Sequence, residues 1–469
     1  MTAAGLKVAV VGHTNTGKTS LMRTLMRDVE FGEVSDRPAV TREVEAAVLR
    51  AGGRAVVDLY DTPGLEDSIG LLEHLDALRG GRRVDGIDVI GEFLEGAEAQ
   101  GRFRQEAKAI RQVLLSDVAL YVIDARDRVL AKHRDELEIL GRCARPVVPV
   151  LNFTAGPDAR TVEWRAQLSR VNMHAAAEFD TVVFDAQGER RLFEKMRTLV
   201  DAHAATIDAL LADRAEARTA LVASSAAALA ELLIDAAAYT ESAPAANASD
   251  APEMLRRFRE KVRQREQQCV EELLVLHRFR PGDVAEEALP LEDGRWGLDL
   301  FSPEAVKQFG VSAGGAAAVG ALVGLTLDVM LAGLSLGTGT MAGAAVGGAV
   351  GAARMHGRRL VNRLRGLTEL RCDDVTLRLL AGRQTLLVRA LLRRGHAAVN
   401  TIHLEGASTA SGVEGSRRLM QHLGRARGHP HWSALSPSTT AARYADPARH
   451  EALQRLADLI RTTLMADVE

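Results

Sequence analysis

At 469 residues the chain is longer than one core commonly organises, so two or three domains are expected, and 47% hydrophobic residues are enough to build them. Aromatics make up only 4% while Ala and Gly are abundant, which favours close-packed helices over an aromatic-rich β-sandwich, and a formal net charge of -3 gives no global reason to expect nucleic acid. Three cysteines, Cys143, Cys269 and Cys372, sit too far apart for a CxxC pair, which argues against disulfides and structural zinc, and MTAAGLKVAVVGHT lacks the apolar region of a signal peptide, so this domain is expected to begin in the cytoplasm.

Over roughly the first 200 residues short β-branched runs alternate with amphipathic stretches: KVAVVG, a helix from Gly17, VEAAVLRAG, RAVVDLYDTPG, DVALYVIDA, PVVPVLNF and TVVFDA. This is the pattern of an α/β domain with a mainly parallel sheet and helices on both faces. Gly52-Gly53 between two strand-like runs predicts one antiparallel hairpin at the sheet edge. The expected division is this α/β domain over 1–205, a helical region over 206–307 with a Pro/Ala/Ser linker near 243–252, a Gly-rich hydrophobic hairpin over 308–353, and a mostly helical region over 354–469. Met254 to Phe279 reads as a helix whose Leu255, Phe258, Val262, Cys269, Leu273 and Leu276 share a face, fit for its own core or a partner helix. VTLRLLAGRQTLLV (375–388) fits either a hairpin or a helix.

Gly12-His13-Thr14-Asn15-Thr16-Gly17-Lys18-Thr19-Ser20 contains GxxxxGK[ST] between a predicted strand and a predicted helix, the context that its chemistry needs. Glycines let the backbone turn its N–H groups toward phosphate, the helix N-terminus adds its dipole, Lys18 reaches the β/γ oxygens, and Thr19 offers a hydroxyl to Mg²⁺. Asp61-Thr62-Pro63-Gly64 ends a second apolar strand, where Asp61 can hold Mg²⁺ through water and the Gly64 N–H can meet a γ-phosphate.

The order GHTNTGKTS, PAVTRE (38–43), DTPG, DVALYVIDA resembles the TrmE–Era branch of the translation-factor class of GTPases across roughly residues 5–200. The resemblance implies binding and hydrolysis of GTP, with Thr41 as the switch threonine that closes over Mg²⁺ and the γ-phosphate. It also implies Asn15 as the ligand of an activating K⁺, the alternative being that Asn15 stiffens its loop by capping its own backbone. Glu73 falls where TrmE-like members carry a water-positioning acid, with Glu66 and Asp67 as nearer rivals, since Leu65 stands where Ras-type enzymes place a glutamine. Where the family reads guanine with NKxD, this chain has Asn152-Phe153-Thr154-Ala155: the asparagine is present and the aspartate is not. Asp158 is a candidate substitute or simply part of a turn, and VVFDAQ (182–187) falls at the SAK-like loop, with the Ala186 N–H available to the base.

Arg79, Arg82 and Arg83 lie in a stretch longer than a minimal GTPase needs; they read as a solvated loop or as contacts to acidic lipid, RNA or a partner's phosphates. Between Lys307 and Arg354 the only charge is Asp328. Ala316 to Leu336 is long enough to span a bilayer, yet nine Leu/Val at roughly -0.45 kcal/mol each against about +3 for Asp328 leave only about -1 kcal/mol for insertion. Glycines spaced by four favour a tight hairpin turning near Leu336–Thr340, to dip into a membrane, to contact membrane protein, to associate with a second copy, or to pack inside a soluble domain. His429-Pro430-His431-Trp432 reads as a turn rather than a metal site. The expectation is a GTP/GDP switch coupled to this hairpin at the inner face of a membrane. An Era-like RNA or ribosome-assembly factor, or a nucleotide-binding scaffold with little turnover, are the alternatives.

Overall fold

LKVAVV forms β1 (Leu6–Val11) in the computed structural model, which describes residues 5–26, 44–181, 186–244, 251–277, 291–292, 294–302, 304–305, 367–393, 411–437, 443 and 445–466. The chain folds as two units, residues 1–218 with 392–400 and residues 219–391 with 401–469. Thr41 and the Gly-rich stretch 308–353 lie outside the described residues.

In the first unit β1 is followed by α1 (Lys18–Met26), β2 (Glu45–Ala51), β3 (Arg54–Asp61), α2 (Ser68–Arg79), α3 (Gly86–Glu95), α4 (Arg104–Leu115), β4 (Val118–Asp124), α5 (Ala131–Arg142), β5 (Val147–Asn152), α6 (Thr161–Arg170), β6 (Ala177–Glu178) and α7 (Ala186–Leu199). The six strands lie in the order β2-β3-β1-β4-β5-β6, all parallel except β2, which pairs antiparallel with β3 through the Gly52-Gly53 turn. Both glycines have positive φ, +54° and +77°, as a tight hairpin turn requires.

Strand position follows residue pattern. VALYVID in β4 is buried at every position because helices cover both of its faces, whereas EAAVLRA in the edge strand β2 alternates between buried and exposed. Along β1 the period of two splits the core: Val8 and Val10 pack with Leu21, Leu25, Phe193 and Met196 on one side, Ala9 and Val11 with Leu71, Leu75, Phe93 and Ile110 on the other. Each such fully buried side chain contributes about 1.5–3 kcal/mol relative to exposure.

The excess length before β4 is α3 and a 3₁₀ turn, Ala97–Ala99. Phe93 and Phe103 face His74 of α2, with ring centroids 6.0 and 5.7 Å away, and Gly86 lets α3 come within side-chain contact of Arg142 on α5. Arg79, Arg82 and Arg83 are exposed or partly exposed at the α2–α3 connection, and Arg82 pairs with Glu92 at 2.6 Å. The sixth strand is Ala177–Glu178, and Thr181 lies at a bend whose N–H reaches Asn152; residues 182–185 of the expected run TVVFDA lie outside the described set.

From α8 (Ala204–Ala238), whose residues from 219 on belong to the second unit, the chain continues into β7 (Thr240–Pro244), α9 (Ala251–Leu276), a short hairpin of β8 (Leu291–Glu292) and β9 (Arg295–Trp296), β10 (Leu367–Arg371), α10 (Asp374–Arg393), α11 (Ser411–Ala426) and α12 (Pro447–Ala466). The expected linker over 243–252 is shorter than its composition suggested, since residues 243–244 pair with β10 and 251–252 already belong to α9. On α9 Met254, Phe258, Val262, Cys269 and Leu273 are buried, while Leu276, at the last turn, is 38% exposed. Residues 375–388 are helical within α10, where Leu377, Leu380, Leu387 and Val388 are buried. The three cysteines are buried free thiols, each pushed up to about 12 by desolvation.

A buried polar cluster ties the second unit together: Arg265 pairs with Asp235 at 2.8 Å, and Asp235 also accepts from the Ala434 N–H through Oδ1 at 2.9 Å. HPHW is a turn, with Pro430–Trp432 forming a 3₁₀ helix, and both His431 Nε2 (2.9 Å) and Trp432 Nε1 (2.7 Å) meet Asp446 Oδ2. These bonds, led by that of His431, draw the Asp446 carboxyl down to about 2. A depressed acid stabilises the fold above its unfolded pKa and loses that contribution as pH falls through its folded value. Asp446→Asn is therefore expected to cost the second unit about 1 kcal/mol at neutral pH, after allowance for solvent screening. Thermal unfolding of the two proteins should converge as pH falls toward 2.

Candidate nucleotide site

The loop between β1 and α1 is shaped by two glycines. A Cβ on Gly12 (φ +148°) would meet the Val122 carbonyl oxygen at 2.4 Å, and one on Gly17 (φ +88°) would meet Asn152 Nδ2 at 2.4 Å. The loop thus lies flat against the ends of β4 and β5, and α1 begins at Lys18 with its N-terminus facing the loop. Thr16 is buried and closes the turn by donating from Oγ1 to the His13 carbonyl at 3.0 Å. Asn15, exposed at the crest, adopts φ +63°, a conformation asparagine takes more readily than most residues. Ser20 lies in the first turn of α1 and its carbonyl accepts from Thr24 Oγ1 at 2.9 Å.

Lys18 is buried, and its Nζ donates to the carbonyls of Gly12 (3.2 Å) and His13 (2.7 Å). Desolvation lowers its pKa, opposed by the charges of Asp61, Glu136 and Glu66. Asp61 is fully buried at the end of β3, and its pKa is raised, first by desolvation. Its Oδ2 accepts from Thr19 Oγ1 at 2.6 Å; its Oδ1 has no hydrogen-bond partner among the described residues. A buried carboxylate oxygen left without a donor beside a hydroxyl is a donor set that fits a hard divalent cation, so Thr19 and Asp61 can hold Mg²⁺.

The DTPG segment lies on the phosphate loop. Thr62 Oγ1 donates to the Val10 carbonyl at 2.8 Å, and a Cβ on Gly64 would meet Thr14 Oγ1 at 2.6 Å and Thr14 N at 3.0 Å. Leu65 is buried. Among the three acids considered for positioning water, Glu66 is the one at the loop, where its Oε1 accepts from Thr14 Oγ1 at 3.3 Å. Asp67 caps α2 by accepting from the Gly70 N–H (3.0 Å) and pairs with Arg102 (2.7 Å). Glu73 sits one turn into α2, exposed, with Asp135 of α5 as its neighbour. Of the three acids, Glu66 is the one whose carboxylate bonds a residue of the phosphate loop.

At the base end Asn152 is completely buried and fully engaged: Nδ2 donates to the Thr16 carbonyl at 3.0 Å, and Oδ1 accepts from Phe153 N, Thr181 N and Thr181 Oγ1 at 2.9–3.1 Å. Thr181 makes this tie, five residues before Ala186, which is the first residue of α7. Phe153, at φ +57°, carries the Arg126 guanidinium 4.2 Å above its ring, and Arg126 is itself held by Asp124 at 2.6 Å. Asp158 is exposed in a turn closed by the Ala159 N–H and the Gly156 carbonyl. The carboxylate that meets this loop is Asp180, which accepts from the Ala155 N–H at 2.9 Å. Neither Asp180 nor Phe153 stood out in the sequence, although phenylalanine in place of the NKxD lysine was visible there.

A Gly-rich loop between the first strand and helix, buried Lys18 and Asp61 beside Thr19, and a parallel sheet with one antiparallel edge strand define a P-loop GTPase domain, and residues 7–153 match the family described as 50S ribosome-binding GTPase. Residues 165–458, more than half of the chain, match the family described as Domain of unknown function (DUF3482), and the chain belongs to that family. Among curated relatives it is 29% identical over 135 residues to the tRNA modification GTPase MnmE of Synechococcus elongatus (29% of this chain, 28% of that protein). It is 38% identical over 96 residues to GTPase Der of Moorella thermoacetica (20% and 22%). The chain therefore spans less than a third of the length of either relative. A solved structure of Aquifex aeolicus Era bound to GDP and AlF4⁻ aligns with 41% of this chain and 56% of its own, at 16% identity and a TM-score of 0.31.

Proposed function

We propose that the N-terminal domain binds GTP with Mg²⁺ and hydrolyses it to GDP and phosphate, as a nucleotide-dependent switch. The observation that carries this reading is the orphaned Oδ1 of buried Asp61 beside Thr19 and Lys18, a set that finds its missing partners in a hydrated cation and a polyphosphate. Mg²⁺ held there would neutralise charge on the β/γ oxygens. Lys18 would bind those oxygens, the loop amides from Asn15 to Thr19 would cradle them, and Thr41 would complete the enclosure. Leu65 is apolar and buried, so another group would orient water; the bond of Glu66 to Thr14 of the phosphate loop supports Glu66 in that role, beside Glu73. The amide oxygen of exposed Asn15 is a donor suited to K⁺, which would add positive charge where an arginine finger acts in related chemistry.

Hydrolysis of GTP and ATP, each in K⁺ and in Na⁺, tests base choice and cation use together. GTP is expected to turn over faster than ATP, and K⁺ to stimulate the wild type but not Asn15→Ala; equal rates in the two salts would remove the cation role.

The switch is proposed to act through residues 308–353 at the inner face of a membrane. What supports this is composition: a stretch with one charge, Asp328, and glycines at four-residue spacing. Among the described residues one other stretch, Asp201–Ala238, is long and apolar enough to cross a bilayer, and 61% of its apolar window is buried inside the protein, as in a core helix. In liposome flotation the full chain is expected to rise with the vesicles, more with one nucleotide than the other. Recovery only in the aqueous phase with both nucleotides would contradict membrane coupling.

A further inference from the structure

His13, the second residue of the phosphate loop, has no part in the phosphate chemistry above. Its Nδ1 lies 2.9 Å from Glu136 Oε1 on α5 and 3.0 Å from the carbonyl oxygen of Leu65, the residue that follows DTPG. Glu136 is completely buried, and its second oxygen accepts from the buried Tyr121 hydroxyl at 2.7 Å. Both of His13's partners are acceptors, so Nδ1 carries the hydrogen and shares it between them. A carboxylate with no access to water needs its donors, so Glu136 fixes the imidazole whatever the switch segment does. His133 packs edge-on against the same ring at 6.1 Å. The imidazole then offers its hydrogen to Leu65, whose own N–H reaches the Gly12 carbonyl at a long 3.4 Å. Gly64, immediately before, is pressed against Thr14 with no room for a side chain.

We infer that His13, held by Glu136, is a positioning residue that latches the Leu65 carbonyl to the phosphate loop, and so sets the Gly64 backbone where it can serve nucleotide hydrolysis. The catalytic part of this inference rests on the GTPase reading; the latch itself does not. A phosphate loop that is merely well packed would not require a donor at the position of Nδ1, and this difference makes the latch testable. Asparagine places an amide nitrogen on Cγ, where Nδ1 sits, and its two hydrogens suit both acceptors; glutamine places it one carbon farther out.

The test compares the full chain with His13→Asn, His13→Gln and His13→Ala. Hydrogen exchange of residues 64–68 is measured without nucleotide, and GTP turnover and GDP affinity are measured alongside. His13→Ala and His13→Gln are expected to raise exchange in 64–68 about tenfold and to lower kcat by a similar factor, the worth of one hydrogen bond, with GDP affinity within about twofold. His13→Asn is expected to keep the wild-type values. Wild-type protection in His13→Ala, or equal loss in the asparagine and alanine variants, would overturn the latch. The expected exchange pattern in a wild type that turns over no GTP would support the latch and remove the GTPase reading.

Discussion

Lys18→Ala is expected to weaken binding of GTP and GDP by at least about 100-fold, measured by equilibrium titration in Mg²⁺. The ammonium is buried, held by two loop carbonyls and surrounded by the charges of Asp61, Glu136 and Glu66. Charge-assisted bonds to phosphate are worth about 1.5–3 kcal/mol each, and alanine removes them while leaving Asp61 without its neighbouring cation. The loss would fall on both nucleotides because the β-phosphate oxygens proposed to meet Lys18 are common to GTP and GDP. Unchanged far-UV circular dichroism would show that the sheet and α1 persist, as expected when the loop glycines and the Asn152 anchor are intact.

Gly64→Ala should have the second largest effect, and on a different quantity. Its Cβ would lie 2.6 Å from Thr14 Oγ1, 3.0 Å from Thr14 N and 3.3 Å from Thr14 Cα, and since two of these are backbone atoms the DTPG segment has to lift from the loop. Any group placed by that segment, including Glu66, moves with it. Turnover of GTP is expected to fall about 100-fold, the scale of losing one preorganised donor at the reacting phosphate, while GDP affinity stays within a few-fold. The split between kcat and GDP binding is the diagnostic, since Lys18→Ala lowers both.

The parts of this site that the sequence exposes are those built within one continuous segment. Gly12, Gly17, Lys18 and Thr19 could be placed because a strand, a turn and a helix N-terminus follow one another in the chain, and Asp61 because a strand end announces itself. What sequence could not supply are pairings between distant elements. Glu136 looks like any acid on an amphipathic helix until folding brings it, across 123 positions, to His13. Similarly, spacing from Gly64 pointed to Glu73, which lies within α2 near Asp135, and could not show that Glu66 bonds Thr14 of the phosphate loop. At the base end the bend at Thr181 places the tie to Asn152 ahead of the segment chosen by spacing. In the second unit Gly382 did not break α10, because nothing crowds it and Leu377, Leu380 and Leu387 on either side are buried. Tertiary packing there decided between two local readings that were equally good.

The loop from Gly12 to Thr19, with Asp61, is proposed to grasp a purine nucleoside polyphosphate. Titration of the purified full chain with GTP in Mg²⁺, followed calorimetrically, tests it most directly. One nucleotide bound per chain, with affinity that weakens when Mg²⁺ is chelated, is the result expected from a site in which buried Asp61 Oδ1 has no hydrogen-bond partner among the described residues and the Lys18 ammonium lies nearby. Absence of heat and of bound nucleotide for GTP, GDP and ATP alike would contradict it.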